Sequence, residues 1–339
     1  MVDTTPRRRT ELLELHPGLA AYARTALRLH PRAGSPTVGE SSVGGPLAWP
    51  ANEPWPTCAD DHESDDDLES DDDLEGDEVG PGLAPPSRPT RTVPAEPVVM
   101  ASVLQLYRRD LPAGPTPLPE WMFPDGADLL QVLWCPNPHP DTYEPRVRLY
   151  WRTASEPGDL LDGNPSLNLF TRDADVDFTP RPCVLHPEVV QEYPPVSVDD
   201  PDSGEFEDTL IGILPERLER SCAGWTVSGE PRGLDDQHDY TDHAGAPGWK
   251  LGGWVPAVGF LPPPAEHCFC GAPTFLLLGA TSEALGGPWL PSGDPGFGWG
   301  DPEEWDDNRP TGVWGGRGGQ LWLLGCTDDP AHPILTYTE

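Results

Sequence analysis

Apolar residues in this chain fall into short runs separated by proline, glycine and aspartate, the pattern of strands buried on at least one face. Runs at 98–107, 129–134 and 147–151 predict three strands in the first half, with Arg148 alternating against apolar neighbours in the last of them. Runs at 274–280 and 321–326 predict two more near the end. One stretch has another period. Leu12, Leu15, Leu19, Tyr22, Ala26 and Leu29 recur at steps of three and four, which predicts a helix over 11–29 with Thr10 as N-cap. Pro17 either divides this helix or opens a second piece of it. Residues 182–194 read as a strand, 215–222 as a short helix, and the acidic, proline-rich stretch 194–207 as a loop.

The order of these runs repeats. The segments 41–50 (SSVGGPLAWP) and 249–256 (WKLGGWVP) each carry a Gly-Gly opening. Each is followed by an apolar run, then by a second that ends in cysteine: 128–135 (DLLQVLWC) with His139 beyond it, and 319–326 (GQLWLLGC) with His332 beyond it. The expected fold class is therefore α+β and β-dominated, with two divergent copies of a β-rich module forming a pseudo-symmetric unit and a cleft between two lobes. On this reading residues 1–58 hold the N-terminal helix and the start of the first repeat, and 59–95 are a disordered acidic and Pro-rich insertion. Residues 96–154 complete the first repeat, 155–248 connect the two, and 249–339 form the second.

Composition sharpens this picture in three places. With 46 prolines and 36 glycines the chain approaches the range of disordered polymers, but 13 tryptophans argue for a folded protein with long turns. The formal net charge of −36 excludes a duplex-DNA binder that works by neutralising phosphates and favours a basic partner. Much of that charge is local, because residues 60–78 hold 13 acidic side chains and no basic one. Such a segment repels itself and has little apolar surface to bury, so it reads as a solubilising loop or as a tether for a basic protein. The 21 basic residues include a single lysine, Lys250, a bias expected of a GC-rich, actinobacterial genome. Seven scattered cysteines do not form a secreted disulfide framework, and no run approaches a membrane span. Glu11, Glu14 and His16 interrupt what would be the apolar part of a signal peptide, so the expectation is a cytoplasmic protein without membrane contact.

Candidate chemistry is sparse. His267, Cys268 and Cys270 offer ligands suited to zinc, and Cys326 with His332, or Cys58, would complete a set by folding. Cys-x-Cys is a poor zinc spacing, so a pair of buried or turn cysteines is the favoured reading; no cofactor is expected, and a structural zinc is the alternative. Residues 235–243 (DDQHDYTDH) concentrate carboxylates with His238 and His243, but lack an apolar pattern to fix them and read as a solvated loop. No phosphate-cradling glycine loop, nucleophile elbow or His-Glu-x2-His motif occurs. The aromatic residues point instead to recognition. Trp49, Trp55, Trp254, Trp289, Trp299, Trp305 and Trp314 lie in or beside Pro/Gly-rich segments, where they either cap sheet ends or dock peptide side chains. Gln105 and Gln131 sit inside apolar strands, where a buried amide needs partners, either a bound backbone or a neighbouring loop.

The segments 43–50 and 128–135, the Leu104-Gln105-Leu106 strand, and Lys250 to Trp254 followed by Cys268-Phe269-Cys270-Gly271 resemble the bacterial YwqG-like family. They are similar, more distantly, to eukaryotic programmed cell death protein 2 and its ribosome-maturation relative in yeast. The resemblance implies a β-rich duplicated fold without established catalysis, and a chaperone-like or immunity-type role. The expectation is a non-enzymatic module capturing a basic protein client or toxin through Trp49, Trp55, Gln105, Gln131, Trp254, Trp289 and Trp314. A metal-dependent hydrolase and an acidic nucleic-acid mimic are the alternatives.

Overall fold

The structure is a computed structural model that describes residues 12–60, 62, 97–113, 118–137, 139, 144–154, 158–169, 177–196, 213–228, 237–255, 267–281, 287–289, 309–315 and 319–338. The expected insertion at 59–95 therefore lies outside the described residues apart from Cys58's neighbours Ala59, Asp60 and His62. The excursion carrying Trp299 and Trp305 lies outside them too.

The chain opens with α1 (Leu12–Leu15), a 3-10 turn at Pro17–Tyr22, β1 (Arg24–Arg28), β2 (Arg32–Ala33), β3 (Ser42–Val43) and β4 (Thr57–Cys58). Then come β5 (Val98–Val99), β6 (Ala101–Tyr107), β7 (Leu129–Trp134), β8 (Val147–Arg152), β9 (Cys183–Val184) and β10 (Glu188–Glu192). The last part contains α2 (Glu216–Ala223), β11 (Thr226–Ser228), β12 (Gln237–Asp239), α3 (Tyr240–Ala244), β13 (Lys250–Gly252), β14 (Thr274–Ala280), β15 (Leu321–Cys326) and β16 (Leu335–Thr338). The long strands match the apolar runs because each of their side chains is buried or faces a neighbour: all six residues of β7 and of β15 are buried. The protein is thus β-dominated, with short helices.

Two six-stranded sheets carry the fold, in the orders β10-β1-β13-β14-β15-β16 and β2-β9-β3-β6-β7-β8. Over five positions they run alike, β1-β13-β14-β15-β16 against β9-β3-β6-β7-β8, all antiparallel. Each long pair has one register shift, at Ser102/Leu104 and at Leu276/Leu278. Leu27, Val43, Leu104, Val132, Leu251 and Leu323 join a single core drawn from both sheets, and the Trp134 and Trp249 rings meet within it at 6.2 Å. A smaller core gathers Leu12, Leu19, Tyr193, Cys222 and Tyr240.

Two expectations are corrected. The helix predicted over 11–29 stops early: its first part is α1 and the 3-10 turn, and 24–28 is the strand β1. His16, Pro17 and Gly18 interrupt the helix. Leu27 and Leu29 then enter the shared core two residues apart, the period of a strand. Hydrogen bonding to both β10 and β13 outweighs the local helical spacing. The predicted strand at 182–194 is two strands in different sheets. β1 pairs with β10 and β2 with β9, so this two-stranded ribbon bends from one sheet to the other at residues 29–31 and 185–187. Pro31 and Pro187 lie in the bend, His30 takes a left-handed φ of 43°, and the His186 N–H donates to the Leu29 carbonyl at 2.9 Å. Residues 155–248, read as a connection, thereby supply one strand to each sheet.

The Gly-Gly signature of 252–253 has a physical cause. Gly252 and Gly253 have φ of 69° and 77°, and a Cβ on Gly253 would collide with the Glu192 carboxylate. That carboxylate, 0% exposed, accepts from the Ala246 and Trp254 N–H groups at 3.0 and 2.8 Å and pairs with Lys250 Nζ at 2.8 Å. The Lys250 ammonium also donates to the Trp254 carbonyl at 2.8 Å. Burial pushes the Lys250 pKa down from its ordinary value, and Glu192 opposes that shift. Replacing Lys250 by methionine leaves Glu192 buried without its counterion, and is expected to lower the unfolding free energy by about 3–5 kcal/mol. An unchanged urea midpoint for Lys250→Met would show that the pair does not hold this corner.

Candidate metal centres and the cleft beside them

Among the described residues two Cys/His groups converge, Cys58, His62, Cys135 and His139, and Cys268, Cys270, Cys326 and His332. Within each, the four ligand atoms lie within 4.8 Å of one another. Each group draws one thiol from the end of a central strand. Cys135 follows β7 directly, and Cys326 is the last residue of β15. A histidine from the succeeding loop joins each.

In the first group β4 presents Cys58, and the chain turns so that His62 returns toward β7. Asp60 helps fix that turn through an ion pair with Arg146 at 3.2 Å. Cys58 Sγ lies 3.3 Å from His139 Nε2, and Cys135 Sγ lies 3.1 Å from His62 Nε2. The other nitrogen of His139, Nδ1, is 2.9 Å from the Glu144 carbonyl, which as acceptor orients the ring and leaves Nε2 for the cluster. All four residues are buried.

The second group begins in a tight turn. The Cys268 N–H donates to the Ala272 carbonyl and the Gly271 N–H to the Cys268 carbonyl, both at 2.8 Å, with Gly271 at φ 88°. This turn, rather than a strand, brings both sulfurs of Cys-x-Cys toward Cys326. Cys270 and Cys326 are 3.7 Å apart, and His332 Nδ1 lies 3.4 Å from Cys326 and 3.6 Å from Cys268. His332 Nε2 faces Asp329 at 3.7 Å. Cys270 is exposed, as is His267, which makes a backbone bridge to Pro273 and is not among the four donors. Of the two histidines named in the sequence for this set, His332 joins the three cysteines and His267 does not.

These spacings suit a small divalent ion. A tetrahedron with bonds of about 2.3 Å to sulfur and about 2.0–2.1 Å to nitrogen has edges of roughly 3.3–3.8 Å. Both groups also hold thiolate. A hydrogen bond from Cys135, opposed by burial, pulls Cys58 down to about 4, and the same bond together with burial pushes Cys135 far up. At Cys326, burial acts upward but is outweighed by the Asp329 N–H and His332, which bring the thiol down to about 6; the bond to Cys326 in turn raises His332. Each group can therefore hold one metal ion.

The first set was missed in the sequence although a signal is present. Cys-x3-His occurs twice, at 58–62 and 135–139. His62 is hidden at the head of an acidic run, and the two halves lie far apart in the chain.

Beside the second group lies a cleft of about 890 Å³. Leu118, Trp121, Trp151, Phe275, Thr327 and Ile334 line it, and Cys326 reaches its wall. Trp121 stacks on Phe275 with ring centroids 4.3 Å apart. The described tryptophans singled out in the sequence lie elsewhere. Trp49 is fully buried against Tyr150, and Trp289 is buried with its carbonyl accepting from Arg28. Trp55 and Trp254 are half-buried and donate to the Met100 and Tyr22 carbonyls. Half-buried Trp314 bridges Asp177. Gln105 and Gln131 serve the neighbouring loop: Gln105 donates to the Val38 carbonyl at 2.9 Å and accepts from the Ala48 N–H at 2.7 Å and from Gln131 at 3.0 Å. The stretch expected to be a solvated loop is partly ordered, because Asp239 caps α3 by accepting from the Thr241 and Asp242 N–H groups, and Tyr240 and His243 are buried.

Among protein-family models none matches this chain, and no curated protein matches its sequence. The geometry alone carries the argument. Metal-free protein is expected to bind two Co²⁺ per chain, one for each group, with thiolate-to-metal charge-transfer absorption. Cys135→Ser and Cys326→Ser should each leave one site; the absence of such absorption in the parent protein would remove both.

Proposed function

We propose that this chain is a non-enzymatic protein-binding module of two divergent repeats, each stapled by one structural zinc, that grips an extended segment of a basic client in the cleft. The observation that carries this reading is the cleft itself. Its lining comes from both halves of the chain, from residues within 108–113, 118–125 and 149–151 and from 275, 277, 325–327, 330 and 334. Stacked aromatic and aliphatic side chains line it, and such surfaces provide the anchors of peptide recognition. A volume of about 890 Å³ takes several side chains. The net charge of −36 selects a client rich in arginine or lysine, hastens encounter and makes binding salt-sensitive.

The like order of the two sheets, and a Cys/His group at the end of each central strand, support divergent duplication. Four protein donors around each site leave no open position for a water or substrate, which favours structural zinc over a metal-dependent hydrolase. Thiolate sites of this kind suit a reducing, cytoplasmic setting. The resemblance to YwqG-like proteins and to programmed cell death protein 2 is in keeping with client capture, as chaperone or as immunity protein.

The test is selection from a random twelve-residue peptide library against the purified full chain. Peptides carrying arginine or lysine beside aromatic or aliphatic residues are expected to be enriched. Trp121→Ala and Leu118→Arg should each weaken a selected peptide by tenfold or more, a loss of about 1.4 kcal/mol, with unchanged thermal unfolding as the control for folding. Raising salt from about 50 to about 500 mM should weaken it further. No enrichment, or binding indifferent to both substitutions, would overturn the proposal.

A further inference from the structure

We infer that the two centres differ in kind: the second is a peroxide-released zinc site that shapes the cleft, whereas the first is permanently closed. This rests on the reading of both groups as zinc sites.

Three observations separate them. The first is burial. Cys58, His62, Cys135 and His139 are all buried, so dissolved oxidants do not reach their sulfurs, whereas Cys270 of the second group is exposed. The second is charge. Zinc with two thiolates and two neutral imidazoles is neutral and sits in the interior at little electrostatic cost; zinc with three thiolates and one imidazole carries one negative charge and belongs at the solvent boundary. The third observation is reach. Cys270 and Cys326 are separated by 3.7 Å, close enough for side-chain rotation to bring them to bonding distance, and both belong to segments bounded by turns.

The reaction balances with hydrogen peroxide as the oxidant. The Cys270 thiolate attacks one peroxide oxygen, the O–O bond breaks, and hydroxide leaves, giving a sulfenic acid on Cys270. The Cys326 thiolate attacks that sulfur, the S–S bond forms, and a second hydroxide leaves. Two protons from solvent convert both hydroxides to water. Two electrons pass from the two sulfurs to peroxide, and zinc departs with only Cys268 and His332 left to hold it.

Release reaches the cleft through the chain between the ligands. Cys326, Thr327, Pro330 and Ile334 all border the cleft, and His332 is the ligand that ties this loop back to the turn at 268–271. Without the metal, that wall loses its tether on the side that faces Trp121.

The experiment uses the full chain reconstituted with zinc, and measures zinc per chain before and after hydrogen peroxide. Two zinc ions are expected to fall to one, with a Cys270–Cys326 disulfide found by peptide mass spectrometry. Reduction in the presence of zinc should restore two. Hydrogen exchange should rise at 327–334 and stay constant at 58–62 and 135–139. Retention of both ions under peroxide, or equal loss from both sites with a Cys58–Cys135 disulfide, overturns the inference while leaving the zinc reading intact. Loss of one ion without change in exchange at 327–334 overturns its link to the cleft. Failure to bind zinc at all after reconstitution overturns the zinc reading itself.

Discussion

The buried pair of Lys250 and Glu192 ties together the strands on which the second sheet depends. Glu192 ends β10 and Lys250 begins β13, and β1 runs between them, so the pair spans the edge of the order β10-β1-β13. Taking two charges out of water costs several kcal/mol per ion, and only near-complete hydrogen bonding offsets it. Here the carboxylate accepts from Lys250 and from two backbone N–H groups, and the ammonium reaches both carboxylate oxygens and a carbonyl. The arrangement leaves no room for a side chain at residue 253, which is why a glycine stands there. It also explains why the one lysine of an arginine-rich chain occurs at 250: a compact ammonium with three donors fits a site closed by one carboxylate and one carbonyl.

From that corner the ribbon of β1-β2 and β9-β10 passes into the other sheet, and the bend at His30 and His186 sets both sheets over one core. His30, 1% exposed, holds its side of the bend to Glu188 at 3.1 Å. Because the sheets share a core rather than standing as separate lobes, the cleft lies along a margin lined by residues after β6, by β8, by β14 and by the loop after β15. The Cys/His groups lie at the ends of β7 and β15, both buried throughout, and so inherit rigid support.

What was legible in the sequence follows the range of the forces that set it. β7, β14 and β15 are read at their true bounds, since strands buried over most or all of their length are mainly apolar, Gln131 being the buried exception in β7. β1 was not, because its spacing serves a helix as well as a strand, and the choice is made by two partners more than a hundred residues away. β9 and β10 were merged for the same reason. Of the second Cys/His group, Cys268, Cys270, Cys326 and His332 were all named as candidates, but the turn that makes Cys-x-Cys convergent depends on Gly271 and the bridge beyond it. The first group joins segments some eighty residues apart, and pairing its two Cys-x3-His halves required knowing that β4 returns beside β7. Trp121 and Trp151 went unremarked because each lies next to ordinary apolar neighbours; only the fold brings them to one cleft.

The two Gly-Gly turns are held by different chemistry. Each is followed by a stretch of backbone whose polar groups are satisfied by a buried side chain from the sheet. After Gly44 and Gly45 this is Gln105, which accepts from Ala48 and donates to the Pro46 carbonyl, a neutral amide helped by Gln131. After Gly252 and Gly253 it is Glu192 with Lys250, which bond the N–H and carbonyl of Trp254. The same job is done by an uncharged network in one half and by an ion pair in the other. An amide loses little if a neighbour shifts, whereas an ion pair in the interior must keep its geometry or its partner becomes an isolated charge. The second half is therefore the less tolerant of rearrangement at its Gly-Gly turn, and the adjoining strand, β14, carries Phe275 and Leu277 to the cleft. A rigid strand beside a loop tethered only at its ends is a combination that lets one wall of a cleft move while the other stays.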